Sequence, residues 1–286
     1  MTLRNRIAET FARLKAEART GLIAYLTVGY PDLAATPQLV RAAVAGGASI
    51  IELGIPFSDP LADGATHQRA SAEALSHGTT LADCLAVARA VRAEGVETPL
   101  ILMGYYNTML SYGPSLRQGE GKLELRTSLE RLATDVAEAG ADGVIPVDLP
   151  PEEARPLLDA AKASGLDVIF FLAPTSTTAR IKVVARAASG FVYCVSLAGV
   201  TGARAELPEH LPAFIKRVRA HATLPLAVGF GISRREHVEA IGRLAEAAVV
   251  GSALTDVIAQ AGPDGATHAV RDFVAQLADA SLRPRT

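Results

Sequence analysis

A chain of 286 residues, 49% hydrophobic and 20% charged, has enough apolar material to bury a large core, as one big domain or two small ones. Its formal net charge of -2 at pH 7 offers no broad basic field, which argues against nucleic acid and membrane as partners and in favour of small molecules. Two cysteines, Cys84 and Cys194, lack metal-like spacing and are too few to staple a fold of this size, which fits a reducing, cytoplasmic setting.

In chain order, the segment Met1 to Arg19 places Leu3, Ile7, Phe11 and Leu14 at helical spacing among charges. It has neither a signal-peptide block nor a spanning run, and predicts a soluble N-terminal helix. Strands follow near Leu22 to Thr27, Ser49 to Leu53, Leu100 to Met103, Gly143 to Val147, Asp167 to Leu172, Phe191 to Val195, Leu226 to Val228 and Ala247 to Val250. Helical periodicity fills Thr36 to Ala45, Leu81 to Ala93, Ser128 to Ala139, Glu152 to Ala163, Ala179 to Ala187, Leu211 to Ala220 and Arg235 to Arg243. Eight strand–helix units in about 250 residues suit a closed (β/α)8 TIM barrel better than an open Rossmann sheet. No G-x-G-x-x-G opens a first helix, which weakens a dinucleotide reading. With no low-complexity linker, residues 1–286 predict a single domain carrying an extra N-terminal helix. Between the third strand and the next helix, Tyr112 to Thr127 is glycine-rich, polar and longer than usual, and predicts a mobile surface loop on the catalytic face.

The chemistry is expected at the C-terminal ends of the strands. The run Ile51-Glu52-Leu53-Gly54-Ile55-Pro56-Phe57-Ser58-Asp59-Pro60-Leu61-Ala62-Asp63-Gly64 ends an apolar strand in carboxylates, glycines and prolines. Glu52 has no structural reason to sit in such a strand unless it is paired or working. Gly54, Pro56 and Pro60 forbid a helix, so Ser58, Asp59 and Asp63 fall on a loop above the strand end. Burial against Ile51 to Ile55 would raise the pKa of Glu52 enough for it to act as an acid near neutrality. Tyr105, Tyr106, Asn107, Asp148, Pro174, Thr175 and Tyr193 occupy other strand ends.

After the seventh strand comes Gly229-Phe230-Gly231-Ile232-Ser233 and after the eighth Gly251-Ser252-Ala253, each expected to run straight into a helix. Glycine lets backbone N–H groups approach an anion and a helix start adds positive potential, so Gly202, Gly231, Gly251 and Ser252 form a candidate phosphate cradle. The plainer reading is that these glycines only make tight turns. No lysine falls at a predicted strand end, so a Schiff-base aldolase lacks its nucleophile. His67, His77, His210, His221, His237 and His268 are scattered, and no metal site is predicted.

The run from Glu52 to Gly64, together with Leu102-Met103-Gly104-Tyr105-Tyr106-Asn107, Asp148-Leu149-Pro150-Pro151-Glu152-Glu153, Val192-Tyr193-Cys194-Val195-Ser196, Gly199-Val200-Thr201-Gly202 and Gly229-Phe230-Gly231-Ile232, resembles the tryptophan synthase α subunit along essentially the whole chain. That resemblance implies a (β/α)8 lyase. It would cleave indole-3-glycerol phosphate to indole and glyceraldehyde 3-phosphate, without a cofactor of its own, in an α2β2 complex whose β subunit carries pyridoxal phosphate. It further implies that Glu52 and Asp63 are catalytic: Glu52 protonates indole C3, and Asp63 accepts the indole N1–H bond. Tyr193 lines the pocket near Glu52, Tyr25 and Phe230 flank the indole, and Thr201 belongs to a closing loop that contacts Asp63. The resemblance also implies that the β subunit docks on the loops from Gly54 to Asp59 and around Asn107.

The long segment Tyr112 to Thr127, the order Ile145-Pro146-Val147 and Leu197 depart from the family pattern and bear on partner docking and loop behaviour. Two alternatives stay open at this point. One is a non-catalytic fold relative that binds and regulates a β subunit. The other is a different phosphate-handling barrel, such as a sugar-phosphate isomerase or indole-glycerol phosphate synthase, although the latter needs a strand-end lysine.

Overall fold

The computed structural model describes residues 5–112, 121–195, 207–229 and 231–279. Helix α1 (Arg6–Ala16) leads into β1 (Gly21–Thr27), α2 (Ala35–Ala45), β2 (Ile50–Gly54), α3 (Ala65–Ser76), α4 (Leu81–Ala93), β3 (Leu100–Gly104) and α5 (Tyr106–Leu110). Then come α6 (Gly121–Glu138), β4 (Gly143–Pro146), α7 (Arg155–Ala163), β5 (Asp167–Val168), β6 (Phe170–Leu172), α8 (Thr178–Ala187) and β7 (Val192–Val195). The chain continues through α9 (Leu211–Arg219), β8 (Leu226–Gly229), α10 (Arg235–Gly242), β9 (Ala247–Val250) and α11 (Ser252–Ala278).

All pairings are parallel, in the order β5-β4-β3-β2-β1-β9-β8-β7-β6. The two ends of that order are one stretch of chain. Asp167 to Leu172, expected as a single strand, splits at Ile169: β5 pairs with β4 and β6 pairs with β7. The ring therefore closes through the backbone of this segment, and the fold is the expected eight-unit TIM barrel.

Strand periodicity sorts the side chains into two cores. Leu26, Ile51, Leu53, Leu100, Leu102 and Val144 face outward against the helices. Ile23, Ile50, Ile101, Ile145, Ile169, Phe191, Tyr193, Ala227 and Val249 fill the barrel, where they meet Ile7, Phe11 and Leu14 of α1. Helix α1 thus plugs the N-terminal mouth. Because β-strand side chains alternate, a residue two beyond Ile50 must also point inward, which places Glu52 in the barrel above Ile50.

One helical expectation needs correction, and two helices add to the predicted set. Helix α6 begins at Gly121, so within the expected loop from Tyr112 to Thr127 the stretch Gly121 to Thr127 is helical; residues 113–120 lie outside the described residues. Helix α3 carries little sequence signal, because Gly64 provides no side-chain cap and only Ala70, Ser71 and Ala74 are buried, which leaves almost no apolar stripe. Helix α5 is a short turn of helix over five residues. Among the described residues, no helix is long and apolar enough to cross a membrane.

Candidate active site

Glu52 is fully buried. It pairs in register with Tyr25 on one side and Ile101 on the other. Neither carboxylate oxygen has a hydrogen-bond partner among the described residues. Burial alone pushes its carboxyl up to about 8. At neutral pH it is therefore mostly a carboxylic acid, able to give a proton.

The loop above β2 is tied down before it reaches α3. Ile55 N–H donates to the Met103 carbonyl at 2.8 Å, and Asp63 N–H to the Pro60 carbonyl at 3.0 Å. The Tyr105 hydroxyl donates to Asp63 Oδ2 at 2.9 Å and accepts from Ala62 N–H at 2.8 Å. Phe57 stacks on the Tyr105 ring with centroids 4.6 Å apart. Burial raises the Asp63 carboxyl, and the Tyr105 bond opposes that rise. Tyr105 stood at a strand end in the sequence, but its role as the clamp on Asp63 was not legible there.

Tyr25 and Tyr193 point into the same chamber. The Tyr25 ring occupies the space where a Cβ on Gly54 would sit, and the Tyr193 hydroxyl comes within 2.7 Å of the corresponding point on Gly229. Both glycines are thus required by ring packing rather than by backbone conformation. Burial pushes the Tyr25 phenol up, and the Asp63 and Glu52 charges push it the same way. Burial also drives up the Tyr193 phenol, with Glu52, Tyr25 and Asp63 adding to it. Both phenols thus lie within reach of the Glu52 and Asp63 carboxylates. Thr27 Oγ1 donates to the Tyr25 hydroxyl at 3.5 Å, and Phe171 packs on Tyr193 at 4.7 Å.

Gly251 caps α11 without any side-chain hydrogen bond, and Ser252 is the first helical residue. That strand does run straight into its helix. Gly231 differs: α10 begins only at Arg235, so Gly231, with φ of 37°, lies in an open loop and not at a helix start. Thr201, Gly202 and Phe230, together with Leu197, lie outside the described residues.

One further residue enters the cluster unannounced. His67, one of the six scattered histidines, sits on α3 with its ring edge-on to Tyr25 at 4.6 Å and its Nε2 beside Gly251. Without α3 in the predicted elements, no sequence signal could place it there.

A profile of the family described as "Tryptophan synthase alpha chain" matches residues 11–281. The chain belongs to that family. It is 52% identical over 273 residues to the tryptophan synthase alpha chain of Roseiflexus sp. (strain RS-1), covering 96% of this chain and 99% of that one. It is 49% identical over 280 residues to that of Chloroflexus aurantiacus, covering 98% and 100%. Among solved structures, tryptophan synthase subunit alpha from Legionella pneumophila superposes with a TM-score of 0.85 at 35% identity, over 97% of this chain and 98% of that one. A chain of Mycobacterium tuberculosis tryptophan synthase gives the same TM-score, identity and coverage. Family membership makes this chain a carbon–carbon lyase of tryptophan biosynthesis, acting on indole-3-glycerol phosphate as the α partner of a β subunit.

Proposed function

We propose that Glu52 is the acid–base group and Asp63 the electrostatic partner in the cleavage of indole-3-glycerol phosphate by one domain spanning residues 1–286. The observation that carries this is the Glu52 carboxyl: fully buried, without a donor among the described residues, and held near neutrality in its proton affinity. A structural carboxylate would have its partners.

Glu52 gives its proton to indole C3, which turns the ring into an iminium-like cation at N1. The C3–C1′ bond then breaks and its electron pair returns to the ring. The C1′ hydroxyl loses its proton to the Glu52 carboxylate as the aldehyde forms, so the enzyme ends in its starting protonation state. Because the indole nitrogen is the electron sink, the route uses no cofactor on this chain; pyridoxal phosphate belongs to the β subunit. Asp63 accepts the N1–H bond and, when ionised, favours the cation, an interaction stronger in the transition state than in the ground state. Tyr105 holds it in place.

Tyr25, Tyr193 and Phe230 line the indole pocket in this reading. In the same reading Gly202, Gly231, Gly251 and Ser252 present backbone N–H groups to the phosphate, and Thr201 belongs to a loop that closes over the substrate and contacts Asp63. The α11 start carries the strongest part of that cradle, because Gly231 lies away from any helix start. The site works in an α2β2 complex in the cytoplasm, with no nucleic acid or membrane involved.

The direct test is incubation of the purified chain with indole-3-glycerol phosphate, reading indole release. The chain has no tryptophan, so the product signal is clean. Release by wild type that is abolished in Glu52→Gln supports the assignment; a variant keeping more than about a tenth of turnover, where loss of a general acid normally costs 10²- to 10⁴-fold, sinks it.

A further inference from the structure

His67 lies where nothing in the Glu52–Asp63 chemistry requires a titratable group. Its Nδ1 is shielded from solvent and has no hydrogen-bond partner among the described residues. The opposite edge of the ring faces the start of α11: a Cβ on Gly251 would stand 2.9 Å from Nε2 and 3.1 Å from Cε1. A side chain at position 251 would press against that edge of the ring. The N–H groups of a helix's first turn have no intrahelical acceptor, and here no side chain caps them.

The tautomer follows from the accounting of polar groups. A neutral imidazole has one N–H and one lone pair, and an orphaned buried N–H is rarer than an under-used acceptor. The unpartnered Nδ1 therefore holds the lone pair, and the proton sits on Nε2, facing Gly251. Burial keeps the ring neutral, lowering its pKa to about 4. The charged groups around it are few: Asp256 on α11 pulls weakly the other way, and it is itself bound by Thr66 Oγ1 at 3.3 Å and faced by Arg69 at 3.7 Å. Tyr25 on β1 stays a neutral phenol, since burial raises its pKa.

We propose that His67 is a specificity residue for the phosphate end of the substrate, its Nε2–H donating a hydrogen bond to the phosphate monoester seated at the start of α11. This rests on the phosphate cradle of the proposed function and adds to it a side-chain donor that reads the monoester, where the remaining contacts come from backbone.

The experiment compares wild type, His67→Leu and His67→Gln, using glycerol 3-phosphate and indole as separate competitive probes of indole-3-glycerol phosphate cleavage. Loss of one hydrogen bond to a charged group predicts that His67→Leu binds glycerol 3-phosphate about 10- to 100-fold more weakly. Indole affinity stays unchanged, and His67→Gln, which restores a donor, recovers part of the loss. His67→Leu should be at least as resistant to urea as wild type, since it removes a buried nitrogen without a partner. Nitrogen NMR of the ligand-free chain should show the His67 proton on Nε2. Equal weakening of both probes, unchanged glycerol 3-phosphate binding, or a proton on Nδ1 overturns the assignment of His67 while leaving the cleavage reading intact. A wild-type chain that releases no indole overturns the reading on which it rests.

Discussion

The two mouths of this barrel use the same chemical groups to opposite ends. At the N-terminal mouth, Asp142 is buried but saturated: it accepts from Arg6 Nη1 at 3.1 Å, Arg92 Nη2 at 2.7 Å and the Leu100 N–H at 2.9 Å. Asp167 nearby takes a bond from Asn5 at 3.2 Å, and α1 seals the barrel below the ring of isoleucines. At the C-terminal mouth, Glu52 has no donor among the described residues and Asp63 leans on a single tyrosine hydroxyl. A carboxylate with partners holds the fold together, whereas one without them stores proton affinity that a substrate can use. With the proposed roles of Glu52 and Asp63, the division would match the general rule for such barrels, with stability at one face and chemistry at the other.

The sharpest way to break this comparison is to neutralise one carboxylate at each mouth. Glu52→Gln should lower indole release by about 10²- to 10⁴-fold, with the barrel intact by circular dichroism. Its stability should carry an opposite signature. The folded-state pKa of Glu52, about 8 against an ordinary 4.5, lies above its unfolded value. The fold's preference for the protonated form is thus fully kept below pH 4.5 and lost as pH rises toward 8. By linkage this amounts to about 5 kcal/mol. Urea unfolding should therefore show Glu52→Gln gaining on wild type from pH 5 to pH 9; a pH-independent difference would contradict the raised pKa. In wild type, kcat/KM should fall as pH passes about 8, where the acid form is lost.

At the other mouth, Asp142→Ala should cost about 3–5 kcal/mol of stability, since it leaves the part-buried Arg92 guanidinium uncompensated. Turnover per folded molecule should not change. A loss of activity at full stability would mean that the two mouths are not as separate as the hydrogen bonds suggest.

Much of this was legible in sequence, for identifiable reasons. Strands buried on both faces leave short apolar runs, so the barrel could be counted, and Glu52 stood out as the carboxylate inside such a run. What stayed hidden depends on tertiary contact. Helix α3 lacks a cap and an apolar stripe, and with it His67 was lost. The clamp of Tyr105 on Asp63 joins residues 42 apart in sequence, and nothing local encodes it. The split at Ile169 is a consequence of ring closure. The early start of α6 was masked by glycine and charge, which read as loop until the chain is seen to continue helical from Gly121.

Between the extremes of Glu52 and Asp142 lie the two residues that share one bond. On the proposed role, Asp63→Asn would keep an oxygen for the indole N–H but no charge for the cation, so it should lower kcat by roughly the 10²-fold typical of a preorganised electrostatic group and leave glycerol 3-phosphate affinity unaltered. A defect confined to KM would assign Asp63 to ground-state binding instead.

The smallest expected effect is the most specific. Tyr105→Phe keeps the stacking on Phe57 but removes the hydroxyl that both holds Asp63 and satisfies the Ala62 N–H. One such bond predicts a loss of about tenfold in turnover. The direction of a pH shift separates positioning from packing. Burial raises the Asp63 carboxyl and the Tyr105 bond lowers it, so without the hydroxyl the carboxyl rises further. In the proposed role Asp63 must be ionised to favour the cation, so activity should be lost as pH falls through its pKa, and the acid limb of the Tyr105→Phe profile should move to higher pH. An acid limb that stays in place, with turnover reduced all the same, would reduce Tyr105 to a wall of the pocket and leave Asp63 to be oriented by the loop from Ile55 to Gly64 alone.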